Sequence, residues 1–251
     1  MQALFIVGFW NSGTTLLTRL LKQHPDLRLR KAAFKPNLEE RKTRKILWKL
    51  GTDYHDFTNM ADVVTDGFIH HPEPNLSDKD VAYFQKAFHR AFGVPDDKML
   101  LLKQPYLFYM PKTLDKFMEF DEVKYVIILR NGYSQAASKD YWKTETHNPE
   151  EKLYVRAGFW KRSMEFFYTH WAARPDVFTL RYENLCTYTN RSVEAVCEFA
   201  GLDFEKLRPS MPDDLKIRLD KWEQLPDSYK ANMHDKIQDM VERVDADYPV
   251  W

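Results

Sequence analysis

The first 25 residues change character in a way that predicts a strand, a tight turn and a helix. An apolar run from Ala3 to Phe9 is followed by the turn-prone Asn11-Ser12-Gly13. Apolar and polar positions then recur with helical spacing from Thr14 to His24, and Pro25 ends the segment. We therefore predict a strand–loop–helix unit at this end of the chain.

Three further short apolar runs predict buried strands, at Met99 to Leu102, Tyr125 to Leu129 and Val177 to Leu180. Continuous apolar strands that are separated by helices are typical of a parallel sheet covered on both faces. The pattern therefore predicts a three-layer α/β fold in which helices flank a central parallel sheet.

The helices are predicted from their periodicity and their caps. Asn37, with Glu40 three residues later, predicts the start of a basic helix that runs to Gly51, whereas residues 52–76 show little periodicity. The other predicted helices begin at Ser77 or occupy Ser134 to Trp142, Glu151 to Ala172, Thr189 to Ala200 and much of Ser228 to Val244. Gly201 follows the fourth of these as a C-terminal cap.

The predicted strands end in polar residues. Ser12 to Thr15 follow the first strand, and Lys103, Arg130 and Tyr182 stand at the ends of the later ones. Ligands of open α/β sheets bind at the carboxyl ends of the strands. We therefore expect these residues to share one edge of the sheet.

The first loop, Gly8-x-x-x-x-Gly13-Thr14-Thr15, nearly matches the phosphate-binding pattern G-x-x-x-x-G-K-S/T. A strand, a glycine turn and a helix N-terminus with free amides can hold an anion, and Ser12 adds a hydroxyl donor. Thr14 stands in place of the lysine that reaches the β- and γ-phosphates, which argues against an ATPase or nucleotide kinase. A turn without a ligand is the alternative, but the flanking strand and helix favour an anion site.

The composition is that of an ordinary soluble protein, with 44% hydrophobic and 29% charged residues in a chain of 251. This length suits one large α/β domain better than two small ones, and we expect residues 1–251 to form a single domain. Because 37 Lys and Arg balance 37 Asp and Glu, no general nucleic-acid binder is expected. Neutrality still permits a local basic pocket.

Signals for disulfides, metals and targeting are sparse. Cys186 and Cys197 cannot build a disulfide framework or, alone, a zinc site. No apolar run approaches the roughly 20 residues of a membrane-spanning helix. The opening MQALFIVGFW lacks the basic region and cleavage site of a signal peptide. We therefore expect a cytoplasmic setting and no membrane insertion.

Several segments resemble a known family. FIVGFWNSGTTLLTRLLKQHP resembles the opening of sulfotransferases that use 3′-phosphoadenosine 5′-phosphosulfate (PAPS). KYVIILRNGYSQAASKDYW is similar to the family's strand-end Arg and helical Ser, and VFTLRYENLCTYTNRSVEAVCEFAGL to its R-Y-E-D-L segment and following helix. LLLKQPYL resembles the Lys-x-Pro strand end of the protein-tyrosine and carbohydrate branches.

This resemblance implies a P-loop-like sulfotransferase fold with PAPS as sulfuryl donor and no metal. The family's S-G-T-T loop binds the 5′-phosphosulfate end, a role that falls here to Asn11, Ser12, Gly13, Thr14 and Thr15. Arg130 and Ser138 match the residues that grip the 3′-phosphate, and a guanidinium can hold phosphate oxygens in a bidentate fork. Tyr182 either stacks on adenine, touches the 3′-phosphate or belongs to the core.

The chain departs from the family where a Lys or Arg normally precedes Ser-Gly, because Asn11 stands there. Sulfuryl transfer needs in-line geometry and stabilisation of charge on the leaving oxygen. We expect Lys103 to supply that cation, since its strand ends at the same edge; a surface lysine is the alternative.

The general base and the acceptor stay open. Where the tyrosine-sulfating branch places a Glu, the stretch LRLRKAAF has no carboxylate. The nearby candidates for a base are Glu39, Glu40, Asp66, His70 and His71. A group of aromatic residues forms either an acceptor pocket or core: Trp142, Trp160, Phe166, Phe167, Tyr168 and Trp171.

Three functions fit these residues. The first is PAPS-dependent transfer to a hydroxyl or amine of a compact small-molecule or carbohydrate acceptor. The second, a P-loop nucleotide kinase or related phosphotransferase, is disfavoured by Thr14. The third is a non-catalytic nucleotide-binding relative, suggested by Asn11 and the missing Glu. Net neutrality argues against long polyanionic acceptors, and the sequence is silent on oligomeric state.

Overall fold

The computed structural model describes residues 2–9, 11–28, 77–79, 81–83, 85–86, 97–103, 105–109, 111, 114–115, 122–138, 148–212, 215 and 221–251. The helix predicted from Asn37, the segment 52–76 and all five candidate bases lie outside these residues. In the helix predicted from Ser77, the described residues 78–79, 81–83 and 85–86 are helical.

Five parallel strands form the described sheet, in the order β2-β3-β1-β4-β5. They are β1 (Gln2–Val7), β2 (Leu27–Arg28), β3 (Met99–Lys103), β4 (Glu122–Leu129) and β5 (Val177–Arg181). All four neighbouring pairs are parallel, which confirms the predicted α/β fold. The central strand, β1, is buried from Ala3 to Val7 because both faces of the sheet are covered.

The described helices are α1 (Thr14–Leu21), α2 (Gly132–Ala136), α3 (Pro149–His170), α4 (Tyr182–Thr187), α5 (Thr189–Ala200) and α6 (Asp227–Asp247). Short 3-10 turns cover Pro105–Tyr109, Phe204–Lys206, Arg208–Ser210 and Lys221–Gln224. The bounds of α5 are those predicted, and Gly201 ends it in the left-handed conformation with φ of 77°. Within the described part of the chain, no helix is long and apolar enough to cross a membrane.

The prediction for α2 was wrong about its start. The helix begins at Gly132 rather than near Ser134, because the Asn131 side chain accepts hydrogen bonds from the backbone N–H groups of Tyr133 and Ser134. Its regular turns end at Ala136, and the remainder of the predicted helix, from residue 139, lies outside the described residues.

Helices cover both faces of the sheet and create two cores. On one face, α2, α3 and α6 pack over side chains such as Phe5 of β1 and Tyr125 of β4. On the other, α1, α4 and α5 pack over Leu4 of β1 and Val126 of β4. Successive strand residues therefore alternate between the cores, and so do the residues at the strand ends.

The described members of the predicted aromatic group pack in the first core. The buried rings of this group are Trp160, Phe166, Phe167 and Trp171. The indole N–H of Trp171 donates to the Phe108 carbonyl at 2.7 Å, which satisfies its polar atom inside the core. Tyr168 is half-buried, and Trp142 lies outside the described residues.

Candidate active site

The strand register brings the predicted polar residues to one edge of the sheet. Lys103 at the end of β3 is paired with Ile6 of β1, on one side of the first loop. On the other side, Leu129 of β4 is paired with Arg181 of β5, so that Arg130 and Tyr182 follow at neighbouring positions. The loop after β1 thus lies between a lysine and an arginine.

The loop from Gly8 to Gly13 folds back on itself through three residues with positive φ. Gly8, Asn11 and Gly13 have φ of 152°, 58° and 109°. Asn is the residue that best tolerates this region after Gly, so Asn11 is compatible with the turn. A Cβ on Gly8 would lie 3.0 Å from Ser12 Oγ and 3.3 Å from the Ile128 carbonyl oxygen, so a larger residue here would have to displace these atoms slightly, at a φ that L residues rarely adopt.

The Ser12 hydroxyl lies inside this loop. The residue is 0% exposed, and among the described residues its Oγ has no hydrogen-bond partner. A buried hydroxyl without a partner costs about 1–3 kcal/mol, so native proteins nearly always satisfy such a group. The free hydroxyl is what a loop that closes around an anion requires.

The N-terminus of α1 is open to a negative charge. The first turn contains no acidic residue, and no side chain of the described chain caps its amides. Thr14 is buried and Thr15 half-buried at the first two positions. Helix N-termini carry a partial positive charge and N–H groups without an intrahelical partner, which favour phosphate or sulfate oxygens.

Arg130 reaches over the loop from the end of β4. Its Nη1 donates to the Asn11 carbonyl at 2.9 Å, and its guanidinium carbon lies 4.6 Å from the centroid of the Tyr182 ring. Its Nε is buried and has no hydrogen-bond partner within the described part of the chain. Arg130 is therefore anchored to the loop while one of its donors remains unused.

Tyr182 joins the loop to Arg130. A Cβ on Gly13 would lie 2.2 Å from Cδ2 of the Tyr182 ring, so the ring rests directly on the Gly13 backbone. Mainly through burial, the pKa of the Tyr182 hydroxyl is raised to about 12. The phenol is therefore neutral at physiological pH. The ring thus provides an uncharged wall beneath the Arg130 guanidinium.

Ser138 lies just beyond α2, at the opposite end of that helix from Arg130. Its hydroxyl donates to the Gln135 carbonyl at 2.7 Å. Arg156 of α3 donates to the carbonyls of Ala136 and Ser138, which satisfies the end of the helix. Asn11, Gly13, Arg130 and Tyr182 touch one another, and Ser138 is not part of that contact group.

Lys103 is buried, 8% exposed, at the end of β3. Alternation along the strand places it on the side of Met99 and Leu101, which is the face that α1 covers. The lysine therefore belongs to the same layer as the loop and the start of α1. A buried lysine at a strand end is distinct from the solvated surface lysine that was the alternative.

Substituting Gly13 by Ala is expected to lower the free energy of unfolding by about 3 kcal/mol. The new Cβ would overlap the Tyr182 ring, and the alanine backbone would have to keep the positive φ of Gly13. Urea denaturation measures the change. Gly201→Ala is the matched control, with φ of 77° but no atom within 4 Å of its Cβ, and should lose only about 1 kcal/mol. Equal losses in the two variants would contradict the contact between Gly13 and Tyr182.

Sequence reasoning assigned no site role to Arg181 and Glu183, and it placed Trp160 either in an acceptor pocket or in the core. Trp160 and Glu183 contact the backbone at Arg130 and Asn131, and Arg181 pairs with Glu183. The sequence signal for Arg181 and Glu183 was the segment similar to R-Y-E-D-L, in which they flank Tyr182 at the end of a strand. The contacts with Trp160 arise from helix packing, which periodicity does not specify.

The part of the chain that contains these elements is similar to one known protein family. The sequence model described as the sulfotransferase family matches residues 3–206, from β1 to the 3-10 turn after α5. No curated protein matches the chain.

Solved structures share the fold at low sequence identity. The sulfotransferase domain of the Synechococcus PCC 7002 olefin synthase is 19% identical with a TM-score of 0.52, over 96% of this chain and 94% of that chain. The sulfotransferase domain from the curacin biosynthetic pathway is 18% identical with a TM-score of 0.52, over 95% of this chain and 97% of that chain. Sulfotransferase STF1 of Mycobacterium tuberculosis H37Rv is 14% identical with a TM-score of 0.51, over 93% of this chain and 76% of that chain. Because the family model covers most of the chain, the protein belongs to the sulfotransferase family.

Proposed function

We propose that this sulfotransferase transfers the sulfuryl group of PAPS to a hydroxyl or amine of a compact small-molecule or carbohydrate acceptor. The observation that carries the proposal is a pair of buried unused donors, Ser12 Oγ and Arg130 Nε, beside one loop. Both are unsatisfied within the described chain, and phosphate oxygens would satisfy both.

We assign the two donors to opposite ends of the nucleotide. Ser12, the loop backbone and the N-terminus of α1 hold the 5′-phosphosulfate end. Arg130 holds the 3′-phosphate, with Ser138 as the second ligand that the family pattern assigns. Because Arg130 is hydrogen-bonded to the Asn11 carbonyl, the position of its guanidinium is fixed relative to the loop. Tyr182 supports that guanidinium from below, which leaves adenine stacking to other residues.

Lys103 supplies the cation that Asn11 does not. When bound, the donor provides a sulfuryl group whose bond to the phosphate oxygen breaks as the bond to the acceptor forms, which leaves negative charge on that oxygen. The acceptor gives up its hydroxyl or amine proton to a general base in the same transfer. In support of this role, Lys103 is paired with the last part of β1 and lies on the face of the sheet that α1 covers, next to the loop that we propose for the phosphosulfate. A buried ammonium stabilises such charge more strongly than an exposed one, since water does not screen it.

The two other functions are weaker on this geometry. A nucleotide kinase would need a lysine at Thr14, but that side chain is short, buried and part of the first turn of α1. A non-catalytic nucleotide-binding protein would not need a buried cation, and Lys103 provides one. We further propose that residues 1–251 act as one domain.

Thermal-shift measurements with adenosine 3′,5′-bisphosphate (PAP) and with ATP, each with and without Mg²⁺, test the donor. PAP without metal is expected to raise the Tm, since a ligand that binds the native state stabilises it by mass action. A rise with Mg²⁺–ATP and none with PAP would reject the proposal and favour a phosphotransferase. Transfer of ³⁵S-labelled sulfate from PAPS to a mixed panel of hydroxyl and amine acceptors then separates an enzyme from a nucleotide-binding relative.

A further inference from the structure

We propose that Glu183 is a positioning residue for the 3′-phosphate: it fixes the backbone from which Arg130 extends, together with Trp160. The inference rests on the proposed function, because it concerns how Arg130 is held for PAPS. In this role Glu183 acts on the peptide group that links Arg130 to Asn131 and not on the loop from Gly8 to Gly13.

Both polar groups of that one peptide are hydrogen-bonded by side chains. The Arg130 carbonyl accepts from the indole Nε1 of Trp160 at 3.0 Å. The Asn131 N–H donates to Oε1 of Glu183 at 2.9 Å. Trp160 comes from α3 and is completely buried, whereas Glu183 comes from α4, on the other side of β4. The peptide is thus clamped between two helices after β4 has ended.

Glu183 is itself held by a buried ion pair. Its second oxygen, Oε2, accepts from Nε of Arg181 at 3.1 Å, and the Arg181 side chain is only 3% exposed. Arg181 Nη1 also donates to Asp245 of α6 at 2.7 Å and to the Tyr248 carbonyl at 2.9 Å. A carboxylate with a charged, doubly anchored partner has little freedom to rotate away from Asn131.

This clamp controls the near end of the Arg130 side chain. The far end is held by the Asn11 carbonyl and the Tyr182 ring. Since the peptide sets the direction in which the Arg130 side chain leaves the backbone, a rotation there moves the guanidinium away from the 3′-phosphate. Catalytic sites are sensitive to displacements of about 1 Å, which can cost about 100-fold.

The test compares PAP with adenosine 5′-monophosphate (AMP), which lacks the 3′-phosphate, by isothermal titration calorimetry. The readout is the ratio of the Kd for AMP to the Kd for PAP. Glu183→Ala is expected to lower this ratio about tenfold, since PAP binding weakens and AMP binding does not. A residue that only supports the fold would weaken both ligands equally and leave the ratio unchanged.

Two further variants complete the test. Trp160→Phe keeps a ring in the core but removes the indole N–H that donates to the Arg130 carbonyl. This variant should lower the ratio about threefold. Asp239→Ala is the control, because its ion pair with Lys161 joins α3 to α6 and does not involve the peptide; the ratio should stay as in the wild type. Should Glu183→Ala fail to fold, Trp160→Phe decides.

The outcomes separate the two proposals. If the wild type prefers PAP but neither Glu183→Ala nor Trp160→Phe lowers the ratio, the positioning role is wrong and the proposed function stands. If the wild type itself does not prefer PAP to AMP, the proposed function is wrong and the positioning role falls with it.

Discussion

Replacing Arg130 by Ala is expected to weaken PAP binding at least about 30-fold, which is the largest binding effect of any single side chain in this site. The substitution leaves the 3′-phosphate without its guanidinium, and removing one partner of a close charge pair costs about 2–5 kcal/mol. At about 1.4 kcal/mol for each tenfold, this corresponds to roughly 30-fold or more in Kd. Isothermal titration calorimetry measures it directly.

Two companion variants sharpen the Arg130 experiment. Arg130→Lys keeps a positive charge but loses the forked geometry and the buried Nε donor, so its affinity should fall between those of the wild type and the Ala variant. Arg191→Ala is the matched control: Arg191 also stacks on an aromatic ring, with its guanidinium 4.4 Å from the Trp251 centroid, but lies on the exposed side of α5. A change of less than about threefold for Arg130→Ala would remove Arg130 from the nucleotide site.

Lys103→Ala is expected to lower kcat about 100- to 1,000-fold, while the Kd for PAP changes less than tenfold. These magnitudes are those found when one donor is removed from a charge-stabilising site. The asymmetry is expected because the proposed role of Lys103 is to stabilise charge that develops on the leaving oxygen only during transfer. Single-turnover transfer of labelled sulfate measures the chemical step, and calorimetry with PAP measures binding.

Lys124→Ala controls for the loss of a sheet lysine. Lys124 lies on β4, paired with Leu4 of β1, and its ammonium donates to the Phe199 carbonyl at 2.8 Å, away from the carboxyl edge. Its removal should leave kcat within about twofold of the wild type. Unchanged turnover in Lys103→Ala would refute the role of Lys103 at the leaving oxygen, and a loss confined to binding would make Lys103 a nucleotide ligand only.

Most of the sheet was predictable from the sequence because its strands are buried on both faces. Runs such as Tyr125 to Leu129 contain no polar residue to interrupt them, and a parallel sheet allows few other arrangements. The carboxyl edge followed from the same argument, since the residue that ends each strand can be read directly. The two-residue strand Leu27–Arg28 was missed because it is too short to carry a pattern.

The contacts within the site were not predictable. Arg130 meets the Asn11 carbonyl and the Tyr182 ring only because three strands end side by side, and residues so far apart in sequence leave no local signal. The aromatic residues of α3 could not be divided between core and pocket for a similar reason. Which face of a helix is buried depends on what packs against it, and α3 is covered by both the sheet and α6.

The strand order also determines how this site comes into being during folding. β1 is the central strand, yet Ala3 pairs with Leu100 on one side and Val123 on the other, so both of its neighbours are distant in the chain. Parallel pairing of this kind closes long loops before it gains contacts, and it slows folding and leaves the apolar strand exposed meanwhile. The loop from Gly8 to Gly13 follows β1, whereas Arg130 and Tyr182 follow β4 and β5. The site that we propose for the nucleotide is therefore complete only after the last of these long-range strand pairings has formed.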